Sequence, residues 1–187
     1  MGSAAEVGAR ALLAGGLVVH PTDTLYALAA RAQDRRAVAH LVAVKGRAAG
    51  RPLSAAVSSF EELERWARLD AAARRFVREN LPGPFTVLLR PSETARRELS
   101  AEVAGGPTIG LRVPDHPLAR ELARRTGPIV ATSANLSSEP PFADLAAARR
   151  ALGAQVAAYV TAPPFPTGTP STLVDLTRDR PRWTRRR

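Results

Sequence analysis

The sequence has no cysteine among its 187 residues, and its three histidines lie far apart in the chain. The missing cysteines exclude disulfide bonds and thiolate chemistry, and the scattered histidines argue against a zinc site built by the protein, so we expect no metal ligands among its side chains. Aromatic residues make up only 5% of the chain, which provides little surface for stacking nucleic-acid bases. Oxygen atoms, nitrogen atoms and fixed charges remain for any chemistry.

Lysine is almost missing as well, because Lys45 is the single lysine among 27 basic residues. A lysine ammonium is a compact donor on a flexible stem and suits a phosphate or carbonate oxygen, whereas a guanidinium is a planar fork. Two interpretations stay open from composition. Lys45 is either retained for an anion or a chance survivor in an arginine-rich chain.

Long apolar runs are also absent, since no segment approaches the roughly 20 apolar residues that span a bilayer. The first residues, Met1 to Glu6, lack a basic region followed by an apolar stretch. We therefore expect a soluble, cytoplasmic protein without a membrane partner.

Positive charge is plentiful, with a formal net charge of +10 at pH 7. Residues 178–187 contain six arginines and one aspartate and so supply +5 of that charge. We predict one domain over residues 1–177 and a basic C-terminal tail over residues 178–187. The tail is interpreted either as a solvated terminus or as a contact for RNA.

Helical and strand patterns of apolar residues predict the fold class. Helices are predicted at 4–14, after the capping residues Asp34, Ser59 and Asp70, through Leu118 and Leu122, and near 142–152. Strands are predicted at 17–19, 53–57, 85–89, 108–113, 129–132, 156–160 and 172–176. Because the elements interleave without strict alternation, we expect a single α/β domain with a mixed parallel and antiparallel sheet flanked by helices.

Polar clusters follow several of the predicted strands, where ligand sites of open α/β sheets usually form. The clusters are 21–26, 45–47, Arg112, 133–135 and 170–172. Each one alone is also compatible with turn chemistry, and Asp23 and Asn135 would ordinarily be assigned to turns or caps. Together they contain cations, hydroxyls and an amide, without a catalytic triad, paired carboxylates, a P-loop or a G-x-G-x-x-G motif, and this set favours an anion-binding pocket.

Six ordered segments resemble the signature of the YrdC/TsaC family, whose members are threonylcarbamoyl-AMP synthases. The segments are 21–26, 45–47, 82–86, 110–114, 133–137 and 171–175. The resemblance implies a YrdC-like twisted sheet with an open, concave, basic cleft. It also implies synthesis of threonylcarbamoyl-adenylate and pyrophosphate from L-threonine, bicarbonate and ATP, with Mg²⁺ accompanying ATP. A partner transferase would then carry the threonylcarbamoyl group to tRNA.

The resemblance also assigns roles to individual residues. The implied catalytic and nucleotide-site residues are Lys45, Arg47, Ser133 and Asn135, with Thr132 and Ser137 as further nucleotide contacts. The residues implied to hold threonine are Thr24, Tyr26, Arg112 and Ser171. In these roles Arg112 would offer a fork to the carboxylate of threonine, and Lys45 with Arg47 would neutralise phosphates and carbamate.

Two positions depart from the family pattern, since Ala27 and Ser138 stand where the family usually has glycine. An alanine in place of a glycine with positive φ would change the loop and narrow the pocket. We also expect the additional C-terminal domain of longer members to be absent. Two alternatives remain open: an RNA-binding module, and a diverged paralogue with other carbamoyl or nucleotide chemistry or none.

Overall fold

The computed structural model describes residues 2–48, 50–135, 140, 142, 144–178 and 180–184. Its helices are α1 Ala4–Leu13, α2 Arg35–Lys45, α3 Phe60–Trp66, α4 Ala71–Asn80, α5 Glu93–Glu98, α6 Ala101–Ala104, α7 Pro117–Thr126 and α8 Leu145–Leu152, and a 3₁₀ turn covers Gly153–Gln155. Among the described residues, no helix is long and apolar enough to cross a membrane.

Helix starts follow the capping residues that the sequence predicts. The side chains of Asp34, Ser59 and Asp70 each accept a hydrogen bond from a backbone N–H in the first turn of the helix they precede. At the other end of α2, Gly46 adopts a left-handed conformation with φ of 61° and ends the helix directly after Lys45. Lys45 is therefore the last helical residue, and the loop begins one residue after it.

The strands are β1 Val18–Pro21, β2 Tyr26–Arg31, β3 Ser54–Ala56, β4 Ala67–Arg68, β5 Phe85–Pro91, β6 Ile109–Arg112, β7 Ile129–Ser133, β8 Ala158–Tyr159, β9 Thr172–Asp175 and β10 Arg182–Thr184. Within the described residues, nine of them form a sheet in the order β10-β9-β5-β6-β3-β7-β2-β1-β8, and β4 pairs with β5. The pairs β1–β8, β3–β6 and β5–β9 are parallel, and the others are antiparallel. The prediction of a mixed sheet flanked by helices is confirmed.

Each face of the sheet carries its own apolar cluster. One face packs against α2, α3 and α8 through residues such as Leu41, Leu63 and Leu152. The opposite face packs against α1 and α7 through Leu12 and Leu122. Because side chains point alternately to the two faces along a strand, residues that alternate with members of the first cluster lie on the face of the second. Polar and small residues of this kind line the open cavity described below, namely Ala27, Ser54, Thr86, Arg112 and Ala131.

Part of the predicted tail belongs to the sheet. Strand β10 pairs antiparallel with β9, with Trp183 opposite Val174. The Trp183 ring packs edge-to-face against Phe76 and Phe85, with centroid distances of 5.5 and 5.8 Å. Residues 182–184 are therefore not a freely solvated terminus, because strand pairing and aromatic packing attach them to the domain. The domain boundary after residue 177 stays a prediction.

Candidate functional site

Lys45 joins the end of α2 to the end of β7. Its ammonium donates to the carbonyl oxygen of Ser133 at 2.7 Å, to the side-chain oxygen of Asn135 at 2.7 Å and to the carbonyl oxygen of Asn135 at 3.1 Å, and the Ser133 hydroxyl oxygen lies 3.4 Å away. The hydroxyl of Ser133 also donates to the side-chain oxygen of Asn135 at 2.5 Å. Among the described residues, the three N–H groups of the Lys45 ammonium contact neutral oxygens only, and these contacts connect three of the predicted site residues.

The environment of Lys45 makes its charge unusually easy to remove. Burial, with a smaller contribution from the nearby charge of Arg47, lowers the pKa of Lys45 from 10.5 to about 8. The residue is only 4% exposed, and within the described residues its hydrogen-bond partners are all uncharged. An anion entering the cavity would supply the missing counter-charge and favour the ammonium form.

Arg47 and Arg51 extend the positive charge of this end. Arg47 donates from one terminal nitrogen to the carbonyl oxygen of Pro52 at 3.0 Å, and its Nε is buried without a hydrogen-bond partner among the described residues. Burial lowers the pKa of Arg47, and the charge of Arg51 lowers it further. Sequence reasoning missed Arg51, because one exposed arginine among so many carries no local signal.

Arg112 occupies the other end of the cavity and is 7% exposed. It donates to the Asp23 carboxylate at 2.6 Å and to the Thr24 hydroxyl oxygen at 3.0 Å, across 89 and 88 residues of sequence. The usual assignment of Asp23 to turn chemistry was wrong, because its carboxylate forms a buried ion pair with Arg112. Burial lowers the pKa of Arg112, and Asp23 opposes that shift.

The hydrogen bonds near Arg112 have a fixed direction. The Thr22 hydroxyl donates to the carbonyl oxygen of Leu25 at 2.7 Å, which uses its one proton. The Thr24 hydroxyl lies 2.9 Å from that of Thr22, whose oxygen also accepts from the backbone N–H groups of Thr24 and Leu25. Because a guanidinium only donates, Thr24 accepts from Arg112 and keeps one lone pair for a ligand donor such as an amine or a hydroxyl. Arg112 keeps the second N–H of each terminal nitrogen.

Both ends belong to one cavity of about 820 Å³. Nine of the ten predicted site residues line it, namely Thr24, Tyr26, Lys45, Arg47, Arg112, Thr132, Ser133, Asn135 and Ser171. The tenth, Ser137, lies outside the described residues, as does Ser138. None of the described residues that line the cavity carries a carboxylate, and among its lining cations Arg112 is paired with Asp23 from behind the wall. The individual roles of these residues remain predictions.

Further lining residues received no individual role from the sequence. Arg51 and Ser54 lie outside the polar clusters and motifs named above, whereas Thr22, Thr86 and Pro170 lie within the segments 21–26, 82–86 and 170–172. Thr86 shares a hydrogen bond of 2.9 Å with the Ser171 hydroxyl, and both are buried. Gly110 leaves room for Ser54, since a Cβ at this position would lie 2.8 Å from the Ser54 hydroxyl oxygen. Strand alternation could have assigned Thr86 to the cavity once β5 was placed, whereas the position of Arg51 depends on the tertiary fold.

Ala27 forms part of the regular strand β2, opposite His20 and Ser133. Its backbone is thus extended, so the position does not need the positive φ that only glycine adopts readily. Ala27 is among the residues that line the cavity. The effect of its methyl group on substrate use stays a prediction.

Two histidines are buried close to Arg112. His20 donates from Nδ1 to the carbonyl oxygen of Pro21 at 2.9 Å, so that its Nε2 carries a lone pair. Burial lowers the pKa of His20 to about 4, while the bond to Pro21 opposes this and the charges of His116 and Arg112 add to it. His20 is therefore neutral at pH 7. The described residues contain no cluster of three or more histidines, aspartates and glutamates that could hold a metal ion.

Comparison with known proteins identifies the family. The model of the Sua5/YciO/YrdC family, described as telomere recombination, matches residues 10–187. The chain belongs to the Sua5/YciO/YrdC family.

Relatives within the Sua5/YciO/YrdC family cover most of the chain. A protein of Mycobacterium tuberculosis strain H37Rv, provisionally named for threonylcarbamoyl-AMP synthesis, is 40% identical over 173 residues, which are 92% of this chain and 78% of that protein. The threonylcarbamoyl-AMP synthase of Chromohalobacter salexigens is 38% identical over 148 residues, which are 78% of both chains.

A solved Sua5 structure has the same fold. The crystal structure of P. abyssi Sua5 complexed with L-threonine is 31% identical, with a TM-score of 0.85 over 95% of this chain. The present chain spans about half of that Sua5 chain, 52% of its length. The suggested resemblance to the YrdC/TsaC proteins is thereby confirmed at the level of family and fold.

Proposed function

We propose that the protein is an L-threonylcarbamoyladenylate synthase, a nucleotidyltransferase that supplies the activated group for threonylcarbamoyl-adenosine in tRNA. One observation carries the proposal: a single cavity combines a cationic end at Lys45 and Arg47 with an end built around Arg112 and Thr24. The first end suits a triphosphate, and the second suits the carboxylate and amine of an amino acid. The names of the relatives and the threonine complex of P. abyssi Sua5 support the same reaction.

The proposed reaction balances without an additional oxidant or reductant. The neutral amine of L-threonine and bicarbonate give an N-carboxylate and water. An oxygen of this carbamate then forms a bond to the α-phosphorus of ATP, and the bond between the α-phosphorus and the bridging oxygen to the β-phosphorus breaks. The products are threonylcarbamoyl-adenylate and pyrophosphate.

At the amino-acid end, the remaining N–H groups of Arg112 would bind the threonine carboxylate, since two of its donors are already held by Asp23 and Thr24. The free lone pair of the Thr24 hydroxyl would accept from the amine or the side-chain hydroxyl of threonine. Tyr26 and Ser171 line the same cavity.

At the nucleotide end, Lys45, Arg47 and Arg51 would balance the charge of the phosphates and of the carbamate. Thr132, Ser133 and Asn135 would orient the phosphate and carbonyl oxygens. Mg²⁺ would enter as part of the MgATP substrate, because the described lining offers no carboxylate to bind it. Holding both reactants in one pocket can lower a barrier by about 7 to 11 kcal/mol, so positioning and fixed charge suffice as catalytic principles.

Pyrophosphate release tests the proposal. Purified protein is incubated with ATP, Mg²⁺, bicarbonate and L-threonine, and the reaction without threonine serves as the blank. We expect threonine-dependent release that disappears in Arg47→Ala. The matched control is Arg90→Ala, because Arg90 is exposed on β5 and does not line the cavity. Release that does not depend on threonine at any pH tested would refute the synthase.

A further inference from the structure

The proline-rich segment 161–170, hereafter the strap, connects β8 to β9 and ends in the cavity wall at Pro170 and Ser171. Most of its residues are exposed, and the side chain of Phe165 is 66% exposed. The strap therefore buries little apolar surface. Its position must depend on hydrogen bonds to the rest of the domain.

Three sets of hydrogen bonds attach the strap to the domain. His116 donates from Nε2 to the carbonyl oxygen of Pro164 at 2.8 Å. The hydroxyl and the backbone N–H of Thr167 both donate to the carbonyl oxygen of Asp23, at 3.1 and 3.3 Å. The backbone N–H of Gly168 donates to the carbonyl oxygen of Thr24 at 2.9 Å.

Two of these attachments reach the residues that hold Arg112. The side chains of Asp23 and Thr24 fix the guanidinium, and the carbonyl groups of the same two residues are fixed by Thr167 and Gly168. A displacement of the strap would shift both carbonyls, and with them the carboxylate and hydroxyl that orient Arg112. The nucleotide end lies outside this chain of contacts, because Lys45 is held by Ser133 and Asn135.

We propose that Thr167 is a positioning residue for the amino-acid end of the cavity, acting through the Asp23 carbonyl group on Arg112. This inference rests on the proposed function where it concerns threonine, whereas the effect on the loop formed by Thr22 to Leu25 is independent of it. A hydroxyl is required at residue 167 because it donates to Asp23 and accepts from the N–H of Thr169 at 3.5 Å. A serine at residue 167 can make both hydrogen bonds, whereas a valine can make neither.

The kinetic test compares Thr167→Val, Thr167→Ser and Thr169→Val. Thr169 is the matched control, since its side-chain oxygen makes no hydrogen bond within the described part of the chain. For Thr167→Val we expect the KM for L-threonine to rise about 2- to 10-fold, the range that loss of one hydrogen bond gives, with KM for ATP and kcat unchanged. Thr167→Ser and Thr169→Val should behave like the wild type. Equal increases in both KM values, or none, would overturn the inference.

Amide hydrogen exchange of the free protein gives a second readout that needs no activity. The N–H groups of Thr24 and Leu25 are bonded to the Thr22 hydroxyl oxygen within the loop that Thr167 holds. We expect both to exchange about 2- to 10-fold faster in Thr167→Val and unchanged in Thr169→Val. Gly168→Ala should act in the same direction, because Gly168 has φ of 82° and an added methyl group meets no atom within 4 Å.

The two readouts separate the two proposals. Wild-type protein without threonine-dependent turnover but with faster exchange in Thr167→Val refutes the synthase and leaves the strap as the support of the Arg112 loop. Active wild-type protein with unchanged exchange and unchanged KM in Thr167→Val refutes the positioning role alone.

Discussion

The Lys45 ammonium lies 2.7 Å from the side-chain oxygen of Asn135, although 90 residues separate them in sequence. This contact brings the cationic segment after α2 and the polar segment after β7 to one wall of the cavity. The space around the Lys45 ammonium is small, since three oxygen atoms lie within 3.1 Å of its nitrogen.

Lys45→Arg should reduce kcat for pyrophosphate release by about 100-fold, the scale of losing one preorganised donor. A guanidinium is larger than an ammonium and cannot place donors on the same oxygens. Lys45→Met should be at least as impaired, and Arg90→Lys, outside the cavity, should be unaffected. Normal turnover of Lys45→Arg would mean that the single lysine is an accident of composition.

Binding of ATP should take up protons near pH 8. Below about pH 8 Lys45 is charged, and above it the free protein loses this charge because burial has lowered the pKa. A bound anion favours the ammonium and raises its pKa, so affinity for ATP falls as pH rises through about 8. Calorimetry in buffers of different ionisation enthalpy measures the uptake, and Lys45→Met is the control. Proton release at this pH in the wild type would contradict the prediction.

Asp23→Asn should lower the free energy of unfolding by about 3 kcal/mol, because it leaves the buried Arg112 charge without its partner. Urea denaturation measures the change. The comparison is Asp115→Asn, whose ion pair with Arg120 is more exposed and should contribute less than about 1 kcal/mol. Equal effects of the two substitutions would show that the Asp23–Arg112 pair contributes no more to the free energy of unfolding than the exposed Asp115–Arg120 pair.

Arg51→Ala should raise the KM for ATP about 2- to 5-fold, the effect of removing one exposed charge, and leave the KM for threonine unchanged. The increase should shrink at high salt, because exposed charges are screened. Steady-state kinetics at two ionic strengths test this, with Arg90→Ala as the control. An increase in the KM for threonine instead would contradict the prediction, because it would place Arg51 at the amino-acid end of the cavity.

Trp183→Ala should destabilise the protein by about 1 to 2 kcal/mol through lost contacts with Phe76 and Phe85. Chemical denaturation measures the loss. Phe165→Ala is the control for an exposed aromatic residue and should change stability by less than about 0.5 kcal/mol. A neutral Trp183→Ala would support the interpretation of residues 178–187 as a solvated tail.

Local signals in the sequence predicted much of the fold. Asp34, Ser59 and Asp70 were identified as helix caps because a cap needs only its own first turn. Strand β2 was missed, since its Tyr-Ala-Leu-Ala-Ala-Arg sequence is alanine-rich and suits a helix as well as a buried strand. Strand β10 was missed because its three residues are defined by pairing with β9 and by aromatic packing.

The candidate site was likewise predicted only in part from the sequence. The lining residues were predicted through six ordered motifs, whose resemblance to one family supplied what spacing could not. The partnership of Asp23 with Arg112 was not predicted, because it joins side chains 89 residues apart and leaves no trace in either segment. The support that Thr167 gives to Asp23 spans 144 residues and was equally hidden.

Incorporation of radiolabelled bicarbonate into an adenylate tests the proposed synthase most directly, because label, amino acid and nucleotide must meet in one product. Chromatography of the wild-type reaction should show a labelled adenylate only when ATP and L-threonine are both present, and none with Arg47→Ala. A labelled product without threonine, or pyrophosphate release without label in the adenylate, would contradict the assignment.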